Sequence, residues 1–106
     1  MSNTVGYSKL FDPVDILATS TPVYTAATIT AAGVVKNISA TITNTTSAGL
    51  TVTVTVAGSE FISNEVVPAY SRLAFTLPDM SNTDTITATG SNTGLVMHST
   101  SGIVIN

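Results

Sequence analysis

The sequence predicts an all-β fold, a single antiparallel β-sandwich of jelly-roll or immunoglobulin-like type with seven to nine short strands and an extended N-terminal arm. Residues 50–56 read LTVTVTV, so branched apolar and hydroxyl side chains alternate with a period of two. Segments rich in Thr, Val and Ile are separated by short clusters of Gly, Asn, Ser and Pro. No segment shows apolar residues at the helical spacing of 3.6. These three observations together favour strands throughout.

The first twenty residues differ from the rest of the chain. Asp12 and Asp15 flank Pro13, and the only apolar stretch is residues 14–18. We therefore divide the chain into an N-terminal arm, residues 1–20, and a β-sandwich domain, residues 21–106. The arm is expected to lie on the body or on a neighbouring subunit. The alternative is a frayed tail followed by an edge strand.

Alternation and turn signals predict the strands of the sandwich in order. They are residues 22–30, 34–43, 50–57, 60–67, 72–77, 84–89, 95–99 and 102–105. The polar cluster at residues 44–49 predicts a hairpin between the second and third of these strands. The apolar faces predict the following core: Ile38, Ile42, Val52, Val54, Leu73, Phe75, Leu77, Ile86 and Leu95.

Composition excludes several classes of function. The chain of 106 residues fits one domain, and it contains no cysteine for disulfides or thiolate metal sites. Its net charge of −3, with only three Lys and Arg, excludes nucleic-acid binding, which needs phosphate-neutralising cations. No apolar run approaches the length of a membrane span. Residues 1–7 show no basic and apolar leader, so we expect synthesis in the cytoplasm without secretion.

Residues that could support catalysis or metal binding are few. His98 is the only histidine, and a histidine in the predicted strand 95–99 more often faces solvent or an interface than a nucleophile. Asp79 and Asp84 bracket a loop of oxygen-bearing side chains, but the loop lacks the ligand spacing and closing Glu of an EF-hand. We therefore predict a protein that is not an enzyme and that needs no cofactor or metal.

The scarcity of charge is the strongest functional signal. Only 8% of the residues are charged, against about 25% in typical domains. Interspersed charges normally keep soluble monomers dispersed and keep strand edges from pairing. Either the uncharged faces are buried in an assembly, or hydration of the hydroxyl groups suffices. We favour assembly, because burying Lys or Glu in a large contact is costly.

The turns and strand starts of the sandwich carry several short motifs. Residues 43–48 (TNTTSA) lead into 50–54 (LTVTV), residues 67–73 (VPAYSRL) form a corner, and residues 83–88 (TDTITA) lead to Leu95 and Val96. This layout resembles small β-sandwich accessory proteins of tailed-phage virions. In such proteins an N-T-S-A turn, an I/V-P-A corner and a D-T-I strand start recur. The resemblance covers about two thirds of the chain.

Capsid cement or decoration proteins are the most similar in size among these accessory proteins. The resemblance implies a homo-oligomer, a trimer, on the outer capsid surface of the virion, where it clamps adjacent subunits of the major capsid protein. A tail or fibre module for adsorption or receptor binding is the alternative. Large apolar residues in arms and exposed loops make interface anchors or, alternatively, cap the core. The candidate anchors are Tyr7, Leu10 and Phe11 in the arm and Tyr70 and Met80 in exposed loops.

Overall fold

The described residues fold into two packed antiparallel sheets. A computed structural model of the chain describes residues 11–26 and 33–105 and the backbone of residues 5–7. These residues contain ten strands: β1 (Val5–Tyr7), β2 (Val14–Ile16), β3 (Thr21–Thr25), β4 (Val34–Asn44), β5 (Leu50–Val56), β6 (Ser59–Val67), β7 (Arg72–Leu77), β8 (Met80–Ser81), β9 (Thr85–Gly90) and β10 (Leu95–Ile105). The predicted all-β sandwich is confirmed.

The first sheet is built around its two longest strands. β10 pairs with β4, β1 and β2 both pair with the free side of β10, and β7 and β8 both pair with the free side of β4. The second sheet has the order β3-β9-β5-β6. The strand number exceeds the seven to nine predicted, because β1, β2 and the two-residue β8 are additional short strands. In contrast, β10 is one strand where two were predicted, at residues 95–99 and 102–105. Its pairing with β4 has a register shift between Ser99 and Ser101.

One apolar core lies between the sheets. Of the predicted core residues, seven are buried: Ile38, Ile42, Val52, Val54, Leu77, Ile86 and Leu95. Leu73 and Phe75 pack against the core but are only partly buried, because β7 is an edge strand with no neighbour on its outer side in the described part of the chain. Alternation therefore identified the inward-facing side chains correctly in most strands.

The predicted hairpin between residues 34–43 and 50–57 is wrong. β4 pairs with β10, β7 and β8, whereas β5 pairs with β6 and β9 in the other sheet. Residues 45–49 therefore cross from one sheet to the other. A cluster of turn residues marks a chain reversal, but it does not specify whether the next strand pairs with the preceding one or packs opposite it.

The alternation in β4 changes phase along the strand. Val35 is fully buried and Lys36 is exposed, whereas Ile38, Ala40 and Ile42 are buried. A strict period of two along the strand would place Lys36 on the same face as Ile38. Pairing with β10 is irregular over the same stretch, between Ser101 and Ile103. An irregularity of this kind shifts the side-chain alternation by one residue.

An aromatic pair lies between the sheets on each long side of the sandwich. Phe11, which precedes β2, contacts Tyr24 of β3 with ring centroids 5.8 Å apart. On the opposite side, Phe61 of β6 contacts Phe75 of β7 at 6.5 Å. Such pairs add about 1 kcal/mol beyond the apolar area that they bury.

The described part of residues 1–20 is integrated into the sandwich. Ile16 is fully buried, and the backbone N–H of Phe11 donates to Ser99 Oγ at 3.1 Å. Among the described strands β2 pairs only with β10, a position that fits both an arm lying on the body of the same chain and the alternative of an edge strand. The domain boundary at residue 20 stays a prediction. In the described residues there is no helix that could span a membrane.

Candidate assembly surfaces

Four turns without charged side chains meet at one end of the sandwich. They are residues 17–20, 45–49, 68–71 and 91–94, which follow β2, β4, β6 and β9. None of them contains Asp, Glu, Lys, Arg or His. We call this group of turns the loop end. The described charged residues nearest to it, Asp15 and Arg72, lie within or at the start of the adjoining strands.

Backbone hydrogen bonds connect the turns of the loop end to one another and to the strands. Thr45 N–H donates to the Gly94 carbonyl at 2.9 Å, and Tyr70 N–H donates to the Thr46 carbonyl at 3.1 Å. Gly90 N–H donates to the Leu17 carbonyl at 2.9 Å. The four turns therefore form one connected unit. A surface that is ordered before binding loses less conformational entropy on association.

Asn44 holds two of these turns together from inside the protein. Its side chain is fully buried. The amide nitrogen donates to the carbonyls of Ala48 (2.7 Å) and Val67 (2.9 Å), and Oδ1 accepts from the backbone N–H (2.9 Å) and the hydroxyl (2.7 Å) of Thr46. These four hydrogen bonds use the full capacity of the amide. Because Asn44 ends β4 and Val67 ends β6, the side chain also links the two sheets.

Three large apolar side chains are exposed on or beside the loop end. Tyr70 is 73% exposed, Val66 is 59% exposed and Leu17 is 46% exposed. Tyr70 has a φ of 53°, in the left-handed region, and its turn is closed by the bond from Ser71 N–H to the Pro68 carbonyl at 3.1 Å. Non-glycine residues in this region are uncommon and concentrate at functional sites. The fold therefore presents this ring to solvent at some cost in backbone strain.

A second surface with little charge is the outer face of the four-stranded sheet. Three threonines of β5 and three of β9 project from it, and two pairs, Thr53 with Thr89 and Thr55 with Thr87, lie directly opposite each other. All are half-buried, whereas the intervening residues of both strands are buried. We call this surface the threonine face; its threonines are Thr51, Thr53, Thr55, Thr85, Thr87 and Thr89. Val66 lies beside it, opposite Thr51.

The outer face of the other sheet has a different character. Across β2, β10, β4 and β7, one row of paired residues reads Asp15, Val96, Thr43, Arg72. The next row places His98 opposite Thr41. The outer face of the first sheet therefore carries both positive and negative charge and the only histidine. On the threonine face, the described strand register places one charged residue, Glu60, opposite Thr55.

The structure separates the predicted interface residues into different environments. Tyr70 is exposed, as expected of a loop anchor. Met80 was expected to be an exposed loop residue, and this is wrong: it is fully buried, because residues 80–81 pair with β4 and turn its side chain into the core. Phe11 is 9% exposed and belongs to the core. Leu10 and the side chain of Tyr7 lie outside the described residues. Sequence reasoning missed Val66, which lies in a predicted strand, where an apolar residue is normally assigned to the core. It also missed Leu17, which lies in the short apolar stretch of the arm.

The candidate catalytic and metal-binding residues are not brought together. Asp79 lies 3.9 Å from the Lys36 ammonium, and the Asp84 carboxylate accepts the Ser81 N–H at 2.8 Å, closing a turn. His98 is half-buried on the outer face of the first sheet. In the part of the chain that the structure describes, no group of three or more His, Asp and Glu side chains could hold a metal ion.

Comparisons with known proteins show similarity in fold only. No protein-family model matches the chain, and no curated protein matches it. Among solved structures, a chain of the T13 IBDV viral particle superposes with a TM-score of 0.57 and 8% sequence identity, over 97% of this chain and 30% of that one. A chain from the structure of infectious bursal disease virus, Gx strain, gives a TM-score of 0.54 at 10% identity, over 99% and 33% respectively. The chain thus spans about a third of the length of these virus-particle chains and shares the fold of that portion.

Proposed function

We propose that the chain is a non-enzymatic structural protein of a virion, a capsid cement or decoration protein that clamps adjacent subunits of the major capsid protein. The observation that supports this most is the loop end, where four connected turns without charged side chains expose Tyr70 and Leu17, with the exposed Val66 beside them. The fold, shared with part of a chain from an icosahedral virus particle, supports a location in the virion at the capsid surface.

In this proposal the loop end is the surface that contacts the shell. Apolar burial contributes about 25 cal/mol per Å², and no charged group of the four turns has to be desolvated. Because the backbone of Tyr70 is held in place by its turn, presenting the ring to the shell costs little backbone entropy. Binding the assembled shell but not its dissociated subunits would stabilise the shell by mass action.

In this proposal the chain binds the particle as a homo-oligomer, namely the trimer expected from the sequence. The described chain measures 51 × 22 × 16 Å. The end of such an elongated molecule is small beside the ~800 Å² that each partner contributes to a standard interface. Several loop ends on one oligomer would raise the overall affinity through multivalency. Tyr7 and Leu10 keep their proposed role as additional anchors in the arm.

Adding the purified chain to particles assembled without it tests the proposal. We expect the wild-type chain to occupy repeated sites on the shell in cryo-electron microscopy and to raise the temperature at which the particles rupture. Tyr70→Arg should weaken binding at least tenfold, because a central aromatic anchor contributes about 2 kcal/mol or more. Ser59→Arg is the matched control, because this substitution adds the same charge as Tyr70→Arg. Ser59 is exposed and lies at the opposite end of β6.

Two results would contradict the proposal. The first is the absence of binding to the shell by the wild-type chain at micromolar concentration. The second is density for the chain only at the tail, which would favour an adsorption or receptor-binding module. Equal binding by Tyr70→Arg and Ser59→Arg would leave the chain on the shell but exclude the loop end as the contact.

A further inference from the structure

We infer that the threonine face is the surface through which one copy of this chain packs against a second copy. This contact joins two copies, so it is separate from the loop end and from the contacts of the proposed trimer, and it does not depend on the proposed capsid role. It assigns a partner, namely this chain itself, to the most uniform surface in the described part of the molecule.

The composition of the face favours burial against another protein surface. Six threonines occupy the outward positions of its two central strands. In the described strand register, Glu60 is the one charged residue on the threonine face, and Glu60 lies on the edge strand β6. The face of the other sheet presents Asp15 and Arg72 in a single row. Since burial of an unpaired charge costs several kcal/mol, the threonine face is the one that can be covered at low cost.

The chemistry of threonine makes the face complementary to itself. Each hydroxyl both donates and accepts hydrogen bonds, so hydroxyls of two facing copies can pair in either direction. The methyl groups between them contribute apolar contact. A carboxylate or ammonium surface lacks this property, because like charges meet when such a surface packs against its own copy. Two sheets that stack face to face lie about 10 Å apart, as in a sandwich core.

The area of the threonine face determines how strong an association between two copies can be expected. The four strands of the face have five, six, seven and nine residues, and at ~3.4 Å per residue and ~4.8 Å per strand the face covers about 440 Å². Two copies would bury about 900 Å², below the ~1,200 Å² of stable specific interfaces and in the range of weak, transient contacts. We therefore expect an association that depends on concentration in the micromolar range and does not persist at high dilution.

Substitutions on the two outer faces test the inference by comparison. Thr53 and Thr87 lie on the threonine face, and Thr43 and Thr76 lie on the outer face of the first sheet. The double variant Thr53→Lys/Thr87→Lys should raise the dissociation constant at least tenfold, because it places four ammonium groups in one contact. The matched control Thr43→Lys/Thr76→Lys should not change it. The measurement is mass by sedimentation velocity and light scattering over 1–200 µM, with circular dichroism to show that each variant is folded.

The inference is supported if the wild-type chain at 200 µM has a mass well above the 10.8 kDa of the monomer and only the threonine-face variant falls back to the monomer mass. A wild-type chain that stays monomeric at 200 µM overturns it, as does equal dissociation of both double variants. Val66→Lys is the second variant, because this residue is 59% exposed and the fold does not depend on its burial. If Val66→Lys and a folded Thr53→Lys/Thr87→Lys both associate as the wild type does, another surface holds the copies together.

Discussion

Asn44 shows how one buried polar side chain can determine the position of two turns. Its side-chain amide donates hydrogen bonds to the carbonyls of Ala48 and Val67, and its Oδ1 accepts hydrogen bonds from the backbone N–H and the hydroxyl of Thr46. We expect Asn44→Ala to lower the free energy of unfolding by about 2–4 kcal/mol, because a buried carbonyl left without a donor costs about 1–3 kcal/mol. Urea denaturation followed by circular dichroism measures the loss.

The matched control for Asn44 is Asn92, an exposed residue whose amide oxygen accepts only the adjacent Thr93 N–H among the described bonds. Asn92→Ala should change stability by less than about 0.5 kcal/mol. Equal losses in the two variants would show that the buried amide contributes nothing beyond an ordinary turn residue.

Gly94 is required for a close approach within the loop end. Its φ is +118°, and a Cβ at this position would collide with the Thr46 methyl group. Gly58 also has a positive φ, +83°, but nothing lies within 4 Å of the corresponding Cβ position. We therefore expect Gly94→Ala to lower the melting temperature clearly more than Gly58→Ala, which has only the cost of about 1 kcal/mol for its backbone conformation. A larger effect at Gly58 would contradict this account.

Residue-level prediction from the sequence succeeded for the alternating strands and failed in the arm and loops. Phe11 and Met80 were assigned to interfaces because they lie in segments without regular alternation, yet both are buried. Their burial comes from contacts between distant parts of the chain: Phe11 packs against Tyr24, and the residues around Met80 pair with β4. No local pattern contains that information.

At the scale of elements, β2 makes residues 14–16 an integral part of the first sheet. Ile16 is fully buried, whereas its neighbour Leu17 is 46% exposed. Ile16→Ala should cost about 2–5 kcal/mol of stability, as for other fully buried aliphatic residues. Leu17→Ala should cost less than about 1 kcal/mol.

Chemical denaturation of these two variants tests whether β2 belongs to the body of the fold. Similar small effects for both would mean that the segment behaves as a detachable arm. That outcome would favour the other placement expected from the sequence, in which the arm lies on a neighbouring subunit.

The pairing of elements was the weakest part of the sequence-based prediction. The turn at residues 45–49 was recognised, but the strands that it joins belong to different sheets. The two-residue β8 was assigned to a loop, because a strand of this length has no measurable alternation. In both cases the partner strand is distant in sequence, so that only the packed fold specifies the pairing.

For the whole molecule, the scarcity of charge predicts an unusual insensitivity to salt. The one described salt bridge, Lys36 with Asp79, is 3.9 Å long and joins side chains that are 49% and 57% exposed. Exposed pairs contribute little to stability. We expect the melting temperature to change by less than about 2 °C between 50 and 500 mM sodium chloride, as measured by differential scanning fluorimetry.

The same reasoning applies to association. If the threonine face joins the copies, the dissociation constant should also be nearly independent of salt over this range, since charge screening acts on charged surfaces. A tenfold weakening at 500 mM would indicate that charged residues such as Asp15 or Arg72 form the contact instead.

The sequence by itself determined the fold class, most strand positions, most of the core and the low charge of the surface. These properties follow from side-chain period and composition, which are local. The tertiary structure decided which strands pair, that Phe11 and Met80 are buried, and that four separate turns form one loop end. It also brought the threonines of β5 and β9 together on one face. These features depend on contacts between residues far apart in the chain, and such contacts are set by packing the whole core at once.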